Sequence, residues 1–166
     1  MTAPPYRVLF VCLGNICRSP MAEVVFRSLC TEARLDQCVV VESAGMGDWH
    51  VGEAAHPDTL EVLEKGGYDG SLHRARKFHR SWFDGYDLIV AMDRLNVKAL
   101  QQQVRKPEDL EKIELLRAFD RESVNQGELD VPDPYGASHA AFESVYDVVT
   151  RSCHGLLDYV RATIDA

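Results

Sequence analysis

The feature that most constrains this chain is an apolar run ending on a loop that carries both a cysteine and an arginine. Val8, Leu9, Phe10 and Val11 follow Tyr6 and Arg7 without further polar interruption, the pattern of a strand buried on both faces of a parallel sheet. The segment V-C-L-G-N-I-C-R-S-P then spans Val11 to Pro20. Pro20 suits the first turn of a helix, where its missing N–H is no loss, and Met21, Val24, Val25 and Leu29 recur behind it at helical spacing. A strand therefore feeds a short loop that opens a helix. In a parallel sheet that junction lies at the carboxyl edge, where ligands collect, and the helix N-terminus offers free N–H groups and partial positive charge to an anion.

Residue types narrow down the anion. Gly14 and Asn15 tolerate left-handed backbone angles, so the loop can curl until successive amides from Leu13 through Ile16 and Cys17 point inward. Arg18 adds a planar fork of donors suited to two oxygens of one phosphoryl group. Five residues separate Cys12 from Arg18, enough for one loop to set a sulfur beneath a tetrahedral oxyanion and a guanidinium beside it. The same cradle favours a thiolate. A cysteine near pKa ~8.5 is only a few per cent ionised at neutral pH, and depressing it by about three units takes roughly 4 kcal/mol, which the amides, Arg18, the helix dipole and the Ser19 hydroxyl can supply together. Those donors also offset the repulsion between a thiolate and a phosphate dianion.

Filled in as C-L-G-N-I-C-R-S-P-M-A-E, with S-A-G at Ser43 to Gly45 and D-P-Y at Asp133 to Tyr135, the chain closely resembles the low-molecular-weight protein tyrosine phosphatases from about Val8 to Val160. The resemblance implies hydrolysis of protein phosphotyrosine through a cysteinyl-phosphate intermediate, with Cys12 as nucleophile, Arg18 on the phosphate, Asp133 as general acid, and neither cofactor nor metal. An acid is wanted because a phenol of pKa ~10 leaves faster when it is protonated as the bond breaks. Pro134 restricts Asp133 to extended backbone that can aim its carboxyl group from a loop, whereas nearby Asp130 lacks the Pro-Tyr context.

Trp49 and Tyr135 match family positions that flank the substrate ring, and as walls of a deep slot they would admit an aryl phosphate while leaving phosphoserine short of the sulfur. Asn15, Ser43 and His73 correspond to a hydrogen-bond network that holds the family's loop; taken alone, Ser43 reads as a turn residue and His73 as a surface histidine. Asp93, just past the third strand, either braces Arg18 or caps a helix. Cys17 is implied to form a reversible disulfide with Cys12 under peroxide, against a reading as a buried structural thiol. One departure stands out: a second tyrosine often follows the family's D-P-Y, and here Gly136 takes that place.

Other activities on related chains fit less well. Thioredoxin-coupled arsenate reductases relay oxidation through further cysteines, yet none occurs between Cys38 and Cys153. Protein-arginine phosphatases typically carry Thr where Ile16 stands. A phosphate-reading module without turnover would not need Cys12, Arg18 and Asp133 together.

At 166 residues the chain fits one domain, 1–166, with residues 1–5 as a frayed start containing Pro4 and Pro5. No signal peptide or stretch long enough to span a membrane is visible, so a cytoplasmic protein without membrane insertion is expected. A net charge of −8 argues against nucleic acid as a partner. The expected partners are phosphotyrosine-bearing proteins, a tyrosine kinase among the candidates, and the expected state is a monomer. Five cysteines without paired C-x2-C spacing suggest neither a disulfide framework nor zinc, and Cys30, Cys38 and Cys153 read as small core or helix residues. His50, His56, His79, His139 and His154 show no metal-ligand spacing.

Further strands are expected at Cys38 to Val41, with Glu42 to Gly45 turning out of it, at Asp87 to Met92 and at Ile113 to Leu116. Helices are expected from Pro57 to Gly66-Gly67, around Leu95 to Val104 with Pro107 as the stop, and over Phe142 to Val160. Residues His73 to Asp84 read as a loop with a short helical piece, and Asp120 to Ser138 as one long loop. Strands alternating with helices imply a doubly wound α/β fold: a four-stranded parallel sheet with helices on both faces.

Overall fold

Strand β1 (Tyr6–Cys12) buries Val8, Leu9, Phe10 and Val11 completely, as its apolar run requires. In this computed structural model, which describes residues 3–166, three strands join it in parallel: β2 (Val39–Gly45), β3 (Leu88–Ala91) and β4 (Ile113–Leu115). The order is β2-β1-β3-β4, with Cys12 level with Gly45 and Val11 level with Ala91. The helices are α1 (Arg18–Glu32), α2 (Pro57–Lys65), α3 (Arg94–Gln101), α4 (Pro107–Leu110), α5 (Arg121–Gln126) and α6 (His139–Asp165).

Because successive strand residues point to opposite faces, Val8 and Phe10 enter a core shared with Met21, Val25 and Phe26 of α1 and Phe142, Val149 and Leu156 of α6. Leu9 and Val11 face the other way, onto Phe78, Phe83, Tyr86 and Leu100. Phe10 meets Phe26 edge to face, with ring centroids 5.7 Å apart; emptying such a position to Ala typically costs about 3–5 kcal/mol. The stripe expected on α6 is present, with Phe142, Val145, Val149, Cys153, Leu156 and Val160 buried and Tyr146 half-buried.

Four expectations need correction. β2 continues through Ser43 and Ala44 to Gly45, because these residues pair with Phe10, Val11 and Cys12. Pro107 does not stop α3, which ends at Gln101; it opens α4 instead. The stretch from Asp120 to Ser138 contains α5, whose first turn is capped by the Asp120 side chain and whose end is Gly127 in the left-handed conformation. Cys38 is exposed, in the turn before β2, whereas Cys30 and Cys153 are buried. Residues 3–5 carry no regular structure and are exposed; the rest of the expected frayed start, residues 1 and 2, lies outside the described residues. Among the described residues, no helix is long and apolar enough to cross a membrane.

Where α6 begins, His139 donates from Nδ1 to Asp58 of α2 at 2.7 Å, and its Nε2 lies 3.9 Å from Glu61. The fold thus gathers three potential donor atoms within 4.8 Å, although nothing in the spacing of His139 signalled it, and both ring nitrogens face carboxylates. The Asp58 bond raises the His139 pKa above its ordinary value. A raised pKa means that the clasp stabilises the fold fully below the unfolded value of about 6.5 and fades as pH rises through the folded value. His139→Gln should therefore lower the Tm more at pH 6 than at pH 9, as followed by thermal denaturation of both proteins across that range.

Candidate active site

Leaving β1 at Cys12, the chain turns through Leu13 to Cys17 and enters α1 at Arg18, so the expected loop lies at the carboxyl edge of the sheet. Two local facts let it turn there. Asn15 holds a left-handed φ of 59°, a conformation that Asn accepts at little cost. Gly45 has no side chain: a Cβ there would lie 2.9 Å from the Leu13 carbonyl oxygen and 3.0 Å from the Asn15 nitrogen. The end of β2 can thus press against the loop, and Met46 and Gly47 donate their N–H groups to the carbonyls of Cys12 and Leu13, both at 2.9 Å.

Asn15 organises the underside of the loop. The Arg76 N–H, which can only donate, reaches Asn15 Oδ1 at 2.9 Å and so fixes the orientation of the amide. Nδ2 then donates to Ser19 Oγ at 2.8 Å and to Ser43 Oγ at 2.9 Å. Since Ser19 Oγ accepts from Asn15, its single proton is available to the Cys12 sulfur 3.0 Å away. Ser43 passes its own proton to Glu23, which also pairs with Arg27. His73 sits behind, its Nε2 donating to the Asn15 carbonyl at 2.7 Å and its Nδ1 3.9 Å from Glu23. Burial pushes the His73 pKa down, against the pull of that carbonyl and of Glu23.

Arg18 is 2% exposed, yet its side chain lies against the loop. Its Nη1 donates to Asp93 at 2.6 Å and to the Val131 carbonyl at 2.8 Å. Asp93 does both things the sequence left open: one oxygen braces Arg18 while the other accepts the Asn96 N–H at 2.8 Å in a capping box that starts α3. Nη2 lies 3.7 Å from Asp133. Nε is buried and, among the described residues, has no hydrogen-bond partner. Nor, among the described residues, do the N–H groups of Gly14, Asn15, Ile16 and Cys17 donate to a backbone carbonyl.

Beside the loop lies a cavity of about 410 Å³. Cys12, Leu13, Gly14, Ile16, Cys17 and Arg18 line it from the loop, and Trp49, His50, Asp133 and Tyr135 from its rim. Cys12 is buried, while Trp49 and Tyr135 are largely exposed. Asp133 is half-exposed, with one oxygen accepting the Tyr135 N–H at 3.1 Å. Asp130 is occupied elsewhere: Arg94 binds it through both backbone and guanidinium, and the guanidinium holds its carboxyl group below the usual range. Burial raises the Cys17 thiol to about 12. Ser43, His73 and Asp93 stand behind the cavity and touch the loop or Arg18.

Three contributors had no assigned role in the sequence. Glu23 lies within the quoted motif, and its spacing of four from both Ser19 and Arg27 is the signal that all three share one face of α1. His50 was considered only as a metal ligand. The Val131 carbonyl left no sequence signal, because a backbone contact to Arg18 depends on the path of the loop. Asn15→Ala should cost about 2–3 kcal/mol of stability, combining lost buried hydrogen bonds with left-handed strain, and should weaken inhibition by inorganic phosphate. Urea denaturation and competition kinetics measure the two; unchanged phosphate affinity would show that the network does not shape the loop.

Comparison with known proteins identifies the family of the chain. A family model described as low molecular weight phosphotyrosine protein phosphatase matches residues 7–166. The chain is similar to a low molecular weight protein-tyrosine-phosphatase of Streptomyces coelicolor, 47% identical over 160 residues and covering 96% of each chain. It is similar in structure to YfkJ from Bacillus subtilis, with a TM-score of 0.89 at 35% identity, covering 98% of this chain and 99% of that one. It also resembles Vibrio vulnificus Wzb in complex with benzylphosphonate, with a TM-score of 0.78 at 29% identity over 93% and 98% of the two chains.

Proposed function

The chain belongs to the low molecular weight phosphotyrosine protein phosphatase family, and from that premise we propose that this protein-tyrosine-phosphatase works through a phosphorylated Cys12, with Asp133 as its general acid. The observation that carries the reading is that Gly14, Ile16, Cys17 and Arg18 line one cavity with Cys12, and that among the described residues Arg18 Nε has no hydrogen-bond partner and the N–H groups of Gly14, Ile16 and Cys17 have no backbone acceptor. Such a cradle suits the three equatorial oxygens of a phosphoryl group in transfer.

The phosphotyrosine ring enters between Trp49 and Tyr135, in keeping with the benzyl group on the phosphonate bound by the Vibrio relative. The Cys12 thiolate, held by the Ser19 hydroxyl, attacks phosphorus as the P–O bond breaks. The bonding pair leaves with the phenolic oxygen, which takes a proton from Asp133. In the second step the Asp133 carboxylate accepts a proton from water, the water oxygen bonds to phosphorus, and the thiolate departs with inorganic phosphate formed. Atoms and charge balance with water alone. Asp133 fits the acid better than Asp130, whose oxygens Arg94 holds. We read Cys17 as the resolving thiol for oxidised Cys12, since both line the same cavity.

Cys12→Ser should abolish turnover of para-nitrophenyl phosphate while retaining phosphate binding; appreciable residual turnover would remove Cys12 as the nucleophile. Asp133→Ala should slow single-turnover cleavage of phenyl phosphate by on the order of 10²- to 10⁴-fold and that of para-nitrophenyl phosphate by less, because only the poorer leaving group needs a proton. Equal losses for the two substrates, or a larger gap in Asp130→Ala, would assign the acid to another carboxylate.

A further inference from the structure

On the far side of Tyr135 lies a second cavity, of about 420 Å³. Ile16, His50 and Tyr135 line both cavities, and the His50 and Tyr135 ring centroids are 5.8 Å apart, so the partition is one layer of side chains thick. It is backed from behind. Tyr135 meets His56 edge to face at 5.9 Å, and His56 in turn stacks on the buried Phe142 at 4.8 Å. On the outer side Gly136 leaves the space open, with no atom within 4 Å of where a Cβ would stand.

Consecutive residues of a substrate are about 3.8 Å apart at Cα. A chain whose phosphotyrosine fills the first cavity therefore has neighbouring side chains within reach of the second, across Tyr135 or His50. Ala54 and Pro57 give the second cavity apolar surface, and its one carboxylate among the described residues is Glu53, 58% exposed, which accepts from His50 Nδ1 at 2.7 Å through one oxygen. No lysine or arginine lines it. A long basic side chain satisfies both features, its methylenes against Ala54 and Pro57 and its charge near Glu53. An acidic side chain would meet Glu53 with like charge.

We propose that this cavity is a specificity subsite for a lysine or arginine one or two residues from phosphotyrosine. The proposal rests on the first cavity being the phosphotyrosine pocket. Its test compares kcat/KM for one phosphotyrosine peptide carrying Lys, Ala or Glu at each of the two positions on either side, with para-nitrophenyl phosphate as the substrate that has no flanking residue. At one position Lys should exceed Glu by roughly 3- to 5-fold, the scale of a partly exposed charge pair. Glu53→Lys should reverse that order, and Ala54→Trp, which fills the cavity from an exposed position, should erase it while hydrolysis of para-nitrophenyl phosphate stays within about twofold of the wild type. Equal rates at all four positions, or a preference unaltered in both variants, would overturn the subsite. Absence of para-nitrophenyl phosphate hydrolysis in the wild type would overturn the phosphatase reading itself.

Discussion

A guanidinium buried almost completely is tolerable only when its charge is met, and at Arg18 the rest of the site is arranged to meet it. Asp93 and the Val131 carbonyl take Nη1, and with that pairing the start of α1, the junction of β3 with α3 and the segment before Asp133 converge on one side chain. Nε has no hydrogen-bond partner among the described residues, and on the reading proposed above a substrate oxyanion would supply the acceptor.

The loop beside Arg18 is braced from underneath by the hydrogen bonds that run through Asn15. Donor direction runs consistently from Arg76 N–H into Asn15, and from Asn15 outward to Ser19 and Ser43. Each hydroxyl that accepts is left with one proton to give, and Ser19 gives its proton toward sulfur. Close packing does the remaining work, since Gly45 lets the backbone of β2 approach where any side chain would collide. Rigidity of this kind places the donors before substrate arrives, which is what electrostatic stabilisation of a transition state requires. The negative overall charge of the chain is no obstacle, because the field at the loop is set by groups within a few ångströms.

Much of this architecture was legible from residue pattern. An uninterrupted apolar run marked β1, helical spacing marked α1 and α6, and the C-x5-R loop between strand and helix marked the site. The misses have different causes. Glu42 to Gly45 looked like a turn because small and polar residues dominate it, yet pairing with β1 holds it as strand. α5 was hidden in a polar stretch of 120–138, although Asp120 and Gly127 are an ordinary cap at either end. Residue type alone reads Cys38 as a core or helix residue, whereas its position one residue before β2 exposes it. At Glu42 to Gly45 and at Cys38 a tertiary partner, or the lack of one, outweighs local preference, while at α5 the local caps were themselves the signal.

By itself, the sequence determined the parallel α/β architecture, the loop at the end of β1 and the side chains of the kinds that the proposed phosphoryl chemistry needs. Those properties follow from periodicity, from the backbone tolerance of Gly14 and Asn15, and from side-chain functional groups, all of them local. Only the tertiary structure decided that Asp130 is spoken for by Arg94 while Asp133 faces Arg18, that Glu23 closes the network under the loop, and that Tyr135 divides two cavities. The physical reason is that each of these depends on distance between groups far apart in the chain, and a hydrogen bond or ion pair is decided within about 3–4 Å, a scale that residue spacing does not encode.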